Sequence, residues 1–366
     1  GGYDSSAITA LLQKNRGEKI KTFSIGYKEA EYNEAQYAKQ VAQHLGTEHH
    51  EYYCTSEDAA RLIPEIPYYF DEPFADSSAI PTMMVSAFAR KHVTVSLSAD
   101  AGDEIFAGYG KYQTFINYYK RFQAIPAMGK KLLHAGLTLY PQNSGLDRWI
   151  YNDMTRVSKV GDLLMQKNSI EDYLKILSQH FGSKELKNIM QNEPSYIERE
   201  SYFSNKLDKS YNDNLNSILA VDYNTYLLDD ILTKIDRATM SVSLEGREPL
   251  LDHRIIEFVA RLPSFYKHNN NTPKIILKNI VHKYIPKSIM DRPKMGFGVP
   301  IELWLKDGLK ELLMYYFDEK RIEEQGIFNV KSIYNIKNSY LNGRKMSFQK
   351  VWALLIFQMW YEKWMQ

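Results

Sequence analysis

Cysteine is almost absent from this sequence: its 366 residues include one, Cys54. That excludes an internal disulfide framework and a cysteine-built structural zinc site. Charge of one sign is missing as well, since 46 Lys and Arg stand against 44 Asp and Glu, a formal net charge of +2. A protein that grips nucleic acid by broad phosphate neutralisation carries a far more basic balance. No apolar run approaches the roughly 18 residues of a membrane-spanning helix. The longest late run is Val351–Phe357. A charged-then-apolar leader pattern is not seen either, so a cytoplasmic location with no membrane partner is expected. There is no repeat period and no low-complexity linker. What remains is a globular composition, 44% apolar and 25% charged, long enough at about 100–200 residues per domain for two or three domains.

The first hundred residues alternate short β-like runs with helical patterns. Ile8–Gln13 reads as helix and Lys21–Gly26 as a strand ending on glycine. Tyr37, Ala38, Val41, Ala42 and Leu45 recur at helical spacing, with Gly46 as a stop signal. Glu48–Tyr53 reads as strand, Pro81–Lys91 as helix and Val93–Leu97 as a buried strand. Strands joined through helices of this length imply parallel βαβ units, whose ligands bind beyond the carboxyl ends of the strands. The loops 25–27 and 98–104 lie there. After about Tyr112 long aromatic- and Lys-rich helical patterns take over. The expected division is therefore an α/β part over 1–115 and a mainly helical part over 116–366. The last segment, Ser347–Met365, reads as an aromatic helix packed into its domain.

Two clusters carry chemistry. Gly1-Gly2-Tyr3-Asp4-Ser5-Ser6 precedes a helix directly, so backbone N–H groups, hydroxyls and the helix N-terminus converge on one place. Taken alone the hexapeptide reads equally as an anion cradle or as a glycine turn with a Ser/Asp helix cap. Asp4 fits beside phosphate only where a metal offsets its charge. The second cluster, Ser98-Ala99-Asp100-Ala101-Gly102-Asp103-Glu104, places three carboxylates within five residues after an apolar strand. Like charges that close need a compensating cation. A metal shared by Asp4 and Asp103 accounts for both clusters.

Six segments now stand in order: GGYDSS at 1–6, FSIGY at 23–27, DEPFADSSAIPT at 71–82, SADAGDEIFAGY at 98–109, LLDDILTKIDRATMSVSLEGREPLLDHR at 227–254 and DRPKMGFGVP at 291–300. Together they resemble the synthetase domain of asparagine synthetase B-type (glutamine-hydrolysing) enzymes, in the ATP pyrophosphatase (PP-loop) superfamily. The resemblance is thin between about residues 115 and 215. It implies an α/β fold, with a parallel-sheet, adenine nucleotide alpha hydrolase-like (Rossmann-like) subdomain followed by a mostly helical one. The implied reaction is ATP-dependent: a carboxylate, by default L-aspartate, becomes an amide through an acyl-adenylate, with release of AMP and pyrophosphate. The implied cofactors are ATP and Mg²⁺.

By the same resemblance Gly1, Gly2, Asp4, Ser5 and Ser6 cradle pyrophosphate, Ile25 and Gly26 meet adenine, and Asp4 and Asp103 hold the metal. Asp100 takes the acidic position associated with amination. Lys294 is the lysine expected to stabilise charge during adenylation, with Gly296 and Gly298 marking a tightly turned or mobile segment. Lys274, one helical turn from Lys278, is placed on the phosphate side. Asp236, Arg237, Glu245, Arg247 and Asp252 orient substrate or form structural ion pairs, the latter being the commoner use of such networks. Cys54 is expected to be structural, and His49 and His50 receive no role.

The sequence departs from the family pattern at Ala99 and Ala101, where glycines are usual, and at Glu248 and Leu250. The serine and strand that precede the Gly-Gly pair in the family are not in the sequence. The chain is accordingly expected to be the synthetase portion of a longer protein, with a glutaminase domain upstream as ammonia source, and it is compatible with a homodimer. Other readings are amidation of a sugar acid in surface polysaccharide synthesis, and a non-catalytic nucleotide-binding regulatory module.

Overall fold

In the computed structural model, the described residues are 1–139, 154–165, 170–192, 213–269, 272–292, 298–343 and 347–366. They form a mostly helical α/β protein with small parallel sheets. Two compact units are present. The first joins Gly1–Gly110 to Asp222–Leu309, and the second joins Lys111–Val221 to Lys310–Gln366. The linear division expected falls at residue 115, and the first stretch of the first unit ends at Gly110. It does not anticipate that residues 222–309 return to the amino-terminal unit.

Local chemistry explains the first elements. Helix α1 (Tyr3–Lys14) starts after Gly2, whose extended backbone makes it the N-cap. Strand β1 (Lys21–Tyr27) pairs in parallel with β2 (Glu48–Cys54), in register from Lys21 opposite Glu48 to Tyr27 opposite Cys54. The crossover is α2 (Ala35–Leu45). It ends where expected: Gly46 is left-handed at φ +74°, and the Thr47 N–H reaches the Ala42 carbonyl at 3.0 Å. After α3 (Ala79–Arg90) comes β3 (Val95–Leu97), which pairs in parallel with β4 (Glu245–Arg247). That pairing explains why a segment distant in sequence belongs to the first unit.

The strand expected over Val93–Leu97 is shorter than read and is not buried. Val95 and Leu97 are 40% and 42% exposed. Among the described residues β3 pairs only with β4, so the strands form two separate parallel pairs and these side chains lack full cover.

The core of the first unit joins both stretches of chain. Ala7 and Ala10 of α1 and Val41 of α2 pack with Leu277 and Val281, on the helix Ile275–Val281. In the second unit, Phe122, Leu163 and Tyr173 form one cluster. The aromatic C-terminal helix (Phe348–Met365) buries Trp352, Leu355 and Ile356 and packs against helices Lys310–Tyr316 and Val330–Leu341. No helix among the described residues is long and apolar enough to cross a membrane.

Candidate functional site

The site begins at the N-terminus of α1, where the first backbone N–H groups have no partner within the helix. Gly2 offers no side-chain cap. The Ser6 hydroxyl, in a residue only 2% exposed, makes no hydrogen bond. An orphaned buried hydroxyl on the first turn of a helix is what an anion cradle requires. Gly1 is glycine for a packing reason too: a Cβ there would lie 3.0 Å from Arg292 Nη2 and 3.2 Å from the Ala38 nitrogen. Arg292 donates to the Gly1 carbonyl at 3.0 Å and to Glu34 at 3.1 Å, and its guanidinium lies 4.2 Å from the centre of the Tyr37 ring. The Tyr3 hydroxyl donates to Asp291 at 2.5 Å. Residues 291–292 are thus tied to the loop that opens α1.

Asp4 and Asp103, from the two acidic clusters, meet around one cation: the ammonium of Lys274 donates to Asp4 and lies 2.7 Å from Asp103. Lys274 is 5% exposed. Burial pulls its pKa down, but the charges of Asp4 and Asp103 outweigh that and hold it above the usual lysine value. Two carboxylates and one ammonium leave a net charge of −1.

Backbone compression surrounds this triad. A Cβ on Gly108 would fall 1.9 Å from Asp103 Oδ1 and 2.0 Å from Lys274 Cε, and one on Gly102 would fall 2.5 Å from Asp4 Oδ1. Ala101, Ala107 and Lys274 all adopt left-handed backbone, at φ +71°, +56° and +56°. Strain of this kind collects at functional sites. Ala101 thus sits in the conformation that glycine tolerates best, while its methyl packs in the cluster of Leu227, Ile231 and Ile235.

Hard carboxylate oxygens already gathered about one positive charge are a fitting donor set for Mg²⁺, with the Lys274 ammonium as the stand-in ion. No cluster of three or more His, Cys, Asp or Glu side chains suited to a metal occurs among the described residues. Two carboxylates suffice for Mg²⁺, which usually keeps waters and takes one or two carboxylates together with substrate phosphates.

Further polar groups lie in the same unit. Ser98 donates its hydroxyl to Asp100, and the Asp100 N–H returns to Ser98 at 3.3 Å. Glu248 has its pKa raised by burial and then by the charge of Asp100. Buried Glu104 accepts from the Tyr109 hydroxyl at 2.8 Å, and the Tyr109 ring meets that of Tyr226 edge-on at 5.9 Å. Buried Lys234 donates to Ser78 at 2.8 Å and to Asp76 at 3.2 Å. It follows a π-helical turn, Leu227–Leu232, a distortion frequent at functional sites. Burial pushes the Asp76 carboxyl up, but Lys234 and Ser78 bring it below the usual range.

Ile25 and Gly26 are buried at the carboxyl end of β1, and a Cβ on Gly26 would strike the Tyr53 ring at 2.8 Å. Lys274, read as a phosphate ligand, is on the carboxylates instead. Lys278 lies 5.1 Å from the centre of the Tyr3 ring. The outer charged set forms exposed pairs: Arg237 with Asp71 at 2.9 Å and Arg247 with Glu245 at 2.7 Å, with Asp236 3.7 Å from Arg237. Asp252 caps the helix His253–Arg261 through the Arg254 N–H. Lys294 and Gly296 lie outside the described residues.

Sequence reasoning passed over Lys234 and Arg292, and it counted Glu104 among the clustered carboxylates without a role of its own. Arg292 left a trace in the RPK segment and Glu104 in the acidic cluster; a lysine within a helical run carries no mark of burial.

Comparison with known proteins gives the family. The family model for asparagine synthase matches residues 1–362. Asparagine synthetase (glutamine-hydrolyzing) 1 of Bacillus subtilis is 30% identical over 99% of this chain and 55% of that protein. A putative asparagine synthetase (glutamine-hydrolyzing) of Mycobacterium tuberculosis is 28% identical over 99% of the chain and 53% of its own length. A putative asparagine synthetase (glutamine-hydrolyzing) 2 of Methanocaldococcus jannaschii is 35% identical over 66% of the chain and 44% of that protein. The chain spans about half the length of the curated relatives it matches. With a match running from Gly1 to the last helix, the chain belongs to the asparagine synthase family.

Proposed function

We propose that this chain converts a carboxylate to an amide at the expense of ATP, with L-aspartate to L-asparagine as the first candidate. The observation that carries the reading is the meeting of Asp4, Asp103 and Lys274 at the N-terminus of α1, beside the unpartnered Ser6 hydroxyl. A carboxylate is a poor acceptor for ammonia until it gains a leaving group. Its oxygen attacks the α-phosphorus of ATP, the bond to the β-phosphate oxygen breaks, and pyrophosphate departs. Ammonia then attacks the acyl carbon of the adenylate, AMP leaves, and one proton is released.

In this reading the N–H groups after Gly1 and Gly2, with Ser5 and Ser6, hold the pyrophosphate portion. Ile25 and Gly26 border the adenine. Asp4 and Asp103 hold Mg²⁺, which when bound neutralises charge on the phosphate oxygens. Lys294 supports the adenylation step, and Asp100 stands on the amination side.

The single cysteine does not supply ammonia: Cys54 is buried and its thiol is pushed up to about 12, by burial first and then by Asp58. A glutaminase domain in a longer protein, as the names of the relatives suggest, is the proposed source. The test is ATP–pyrophosphate exchange by the chain with aspartate and, separately, with sugar acids, followed by amide formation with ammonium or glutamine. Aspartate-dependent exchange and ammonium-dependent product are expected. Exchange with a sugar acid alone moves the substrate class, and exchange with neither removes the ligase reading. Glutamine-dependent product from this chain overturns the proposed ammonia source.

A further inference from the structure

We propose that Lys274 is a built-in counter-cation: without nucleotide it fills the metal position between Asp4 and Asp103, and it leaves for the incoming phosphates when Mg·ATP binds. Metal binding is then conditional on nucleotide. The inference rests on the reading that these two carboxylates are the metal ligands, but its test does not depend on catalysis.

Geometry supplies the first argument. The Lys274 ammonium lies against Asp4 and 2.7 Å from Asp103, within the space a divalent ion sharing the same oxygens would use. An ammonium and a divalent cation that close repel each other strongly in a buried site, so the two compete. Charge is the second argument. The triad carries −1 with lysine in place, and losing the ammonium leaves two adjacent half-buried carboxylates, which do not remain together without another cation. One cation, lysine or metal, is therefore always needed there, and exchange of one for the other costs least when phosphate oxygens receive the ammonium.

The surroundings allow the exchange. Gly108 has no side chain where Lys274 Cε passes, at a point 2.0 Å from an imagined Cβ. Ser6, with its unpartnered hydroxyl, lies on the same first turns of α1 as Asp4. Lys274 itself is left-handed, as are Ala101 and Ala107 beside Gly102 and Gly108. Three residues in two chain segments are held out of relaxed backbone around one contact, a mark of an arrangement that the surrounding structure over-determines.

The experiment uses Mn²⁺ as the probe, followed by electron paramagnetic resonance on the full chain without nucleotide. Wild type is expected to bind Mn²⁺ weakly, and Lys274→Met about tenfold more tightly because the competing charge is gone. The gain should vanish in Lys274→Met/Asp103→Asn. Mn²⁺ should also raise the melting temperature of Lys274→Met more than that of wild type. Affinity in Lys274→Met equal to or weaker than wild type overturns the proposal. Should Lys274→Met not fold, wild type serves: saturating Mn²⁺ should increase acetylation of Lys274 by a water-soluble amine reagent, read by peptide mass spectrometry, and no increase overturns the proposal. Absence of pyrophosphate exchange by wild type would instead strike the ligase reading and leave the Mn²⁺ comparison standing.

Discussion

The two units treat buried lysine and left-handed backbone in different ways. In the second unit, buried Lys350 pairs with Glu185 alongside the Phe181 ring, and buried Lys337 donates to the Phe317 carbonyl at 2.9 Å. These two ammoniums meet an acid and a carbonyl, which suits support of a helical core. In the first unit Lys274 faces two carboxylates, an excess of negative charge that invites a second cation. Backbone tells the same story. All five left-handed non-glycine residues among those described, Asp71, Ala101, Ala107, Ser243 and Lys274, belong to the first unit. Among the described residues of the second unit the left-handed ones are Gly326 and Gly343, which bear no Cβ cost. Strain and unbalanced charge stay together in one unit, while the other is built for relaxed packing.

The sharpest test of that contrast exchanges glycine for alanine in each unit. Gly108→Ala drives a methyl into Asp103 and Lys274. It should cost about 3 kcal/mol in chemical denaturation, at the high end for overpacking. Asp76→Asn comes next, since it leaves Lys234 buried without its carboxylate, at a cost of about 2 kcal/mol near neutral pH. Its pH dependence has a fixed sign. Asp76 is depressed in the folded state, so its contribution is present above the unfolded carboxyl value and is lost as pH falls through the folded one. The gap between wild type and Asp76→Asn in urea midpoints should therefore close on acidification, and a gap that widens would contradict the pairing.

Gly136→Ala, on an exposed helical position with nothing within 4 Å, should do the opposite of Gly108→Ala and stabilise by about 1 kcal/mol. Equal effects at 108 and 136 would erase the distinction between the units. The smallest effect belongs to Glu248→Gln. Burial and then Asp100 raise the Glu248 pKa, so its charged form opposes folding above the unfolded glutamate value. The variant should melt slightly higher than wild type at pH 7, and the difference should disappear in acid, as read by a thermal scan across pH.

Much of this was legible in advance because it is local. The Gly46 stop, the strand at Lys21–Gly26 and the opening of α1 follow from periodicity and from residues that cap or terminate elements. The acidic clusters were legible because three carboxylates in five residues are hard to justify without a cation. Less visible was the span of β3, since an apolar run reports affinity for cover and not whether cover is present. Lys234 was invisible because burial of a lysine depends on the acid it finds, here Asp76, 158 residues away.

By itself, then, the sequence determined the family, the order of its motifs, the types of its elements and the residues able to bear charge. Each of those is written in neighbouring positions or in short patterns. Tertiary structure decided that Lys274 stands between Asp4 and Asp103, that residues 222–309 join the first unit, and that an alanine accepts the left-handed backbone at position 101. The reason is that charge pairing and strand pairing act through space: Asp4 and Lys274 are 270 residues apart in the chain and in hydrogen-bond contact in the fold.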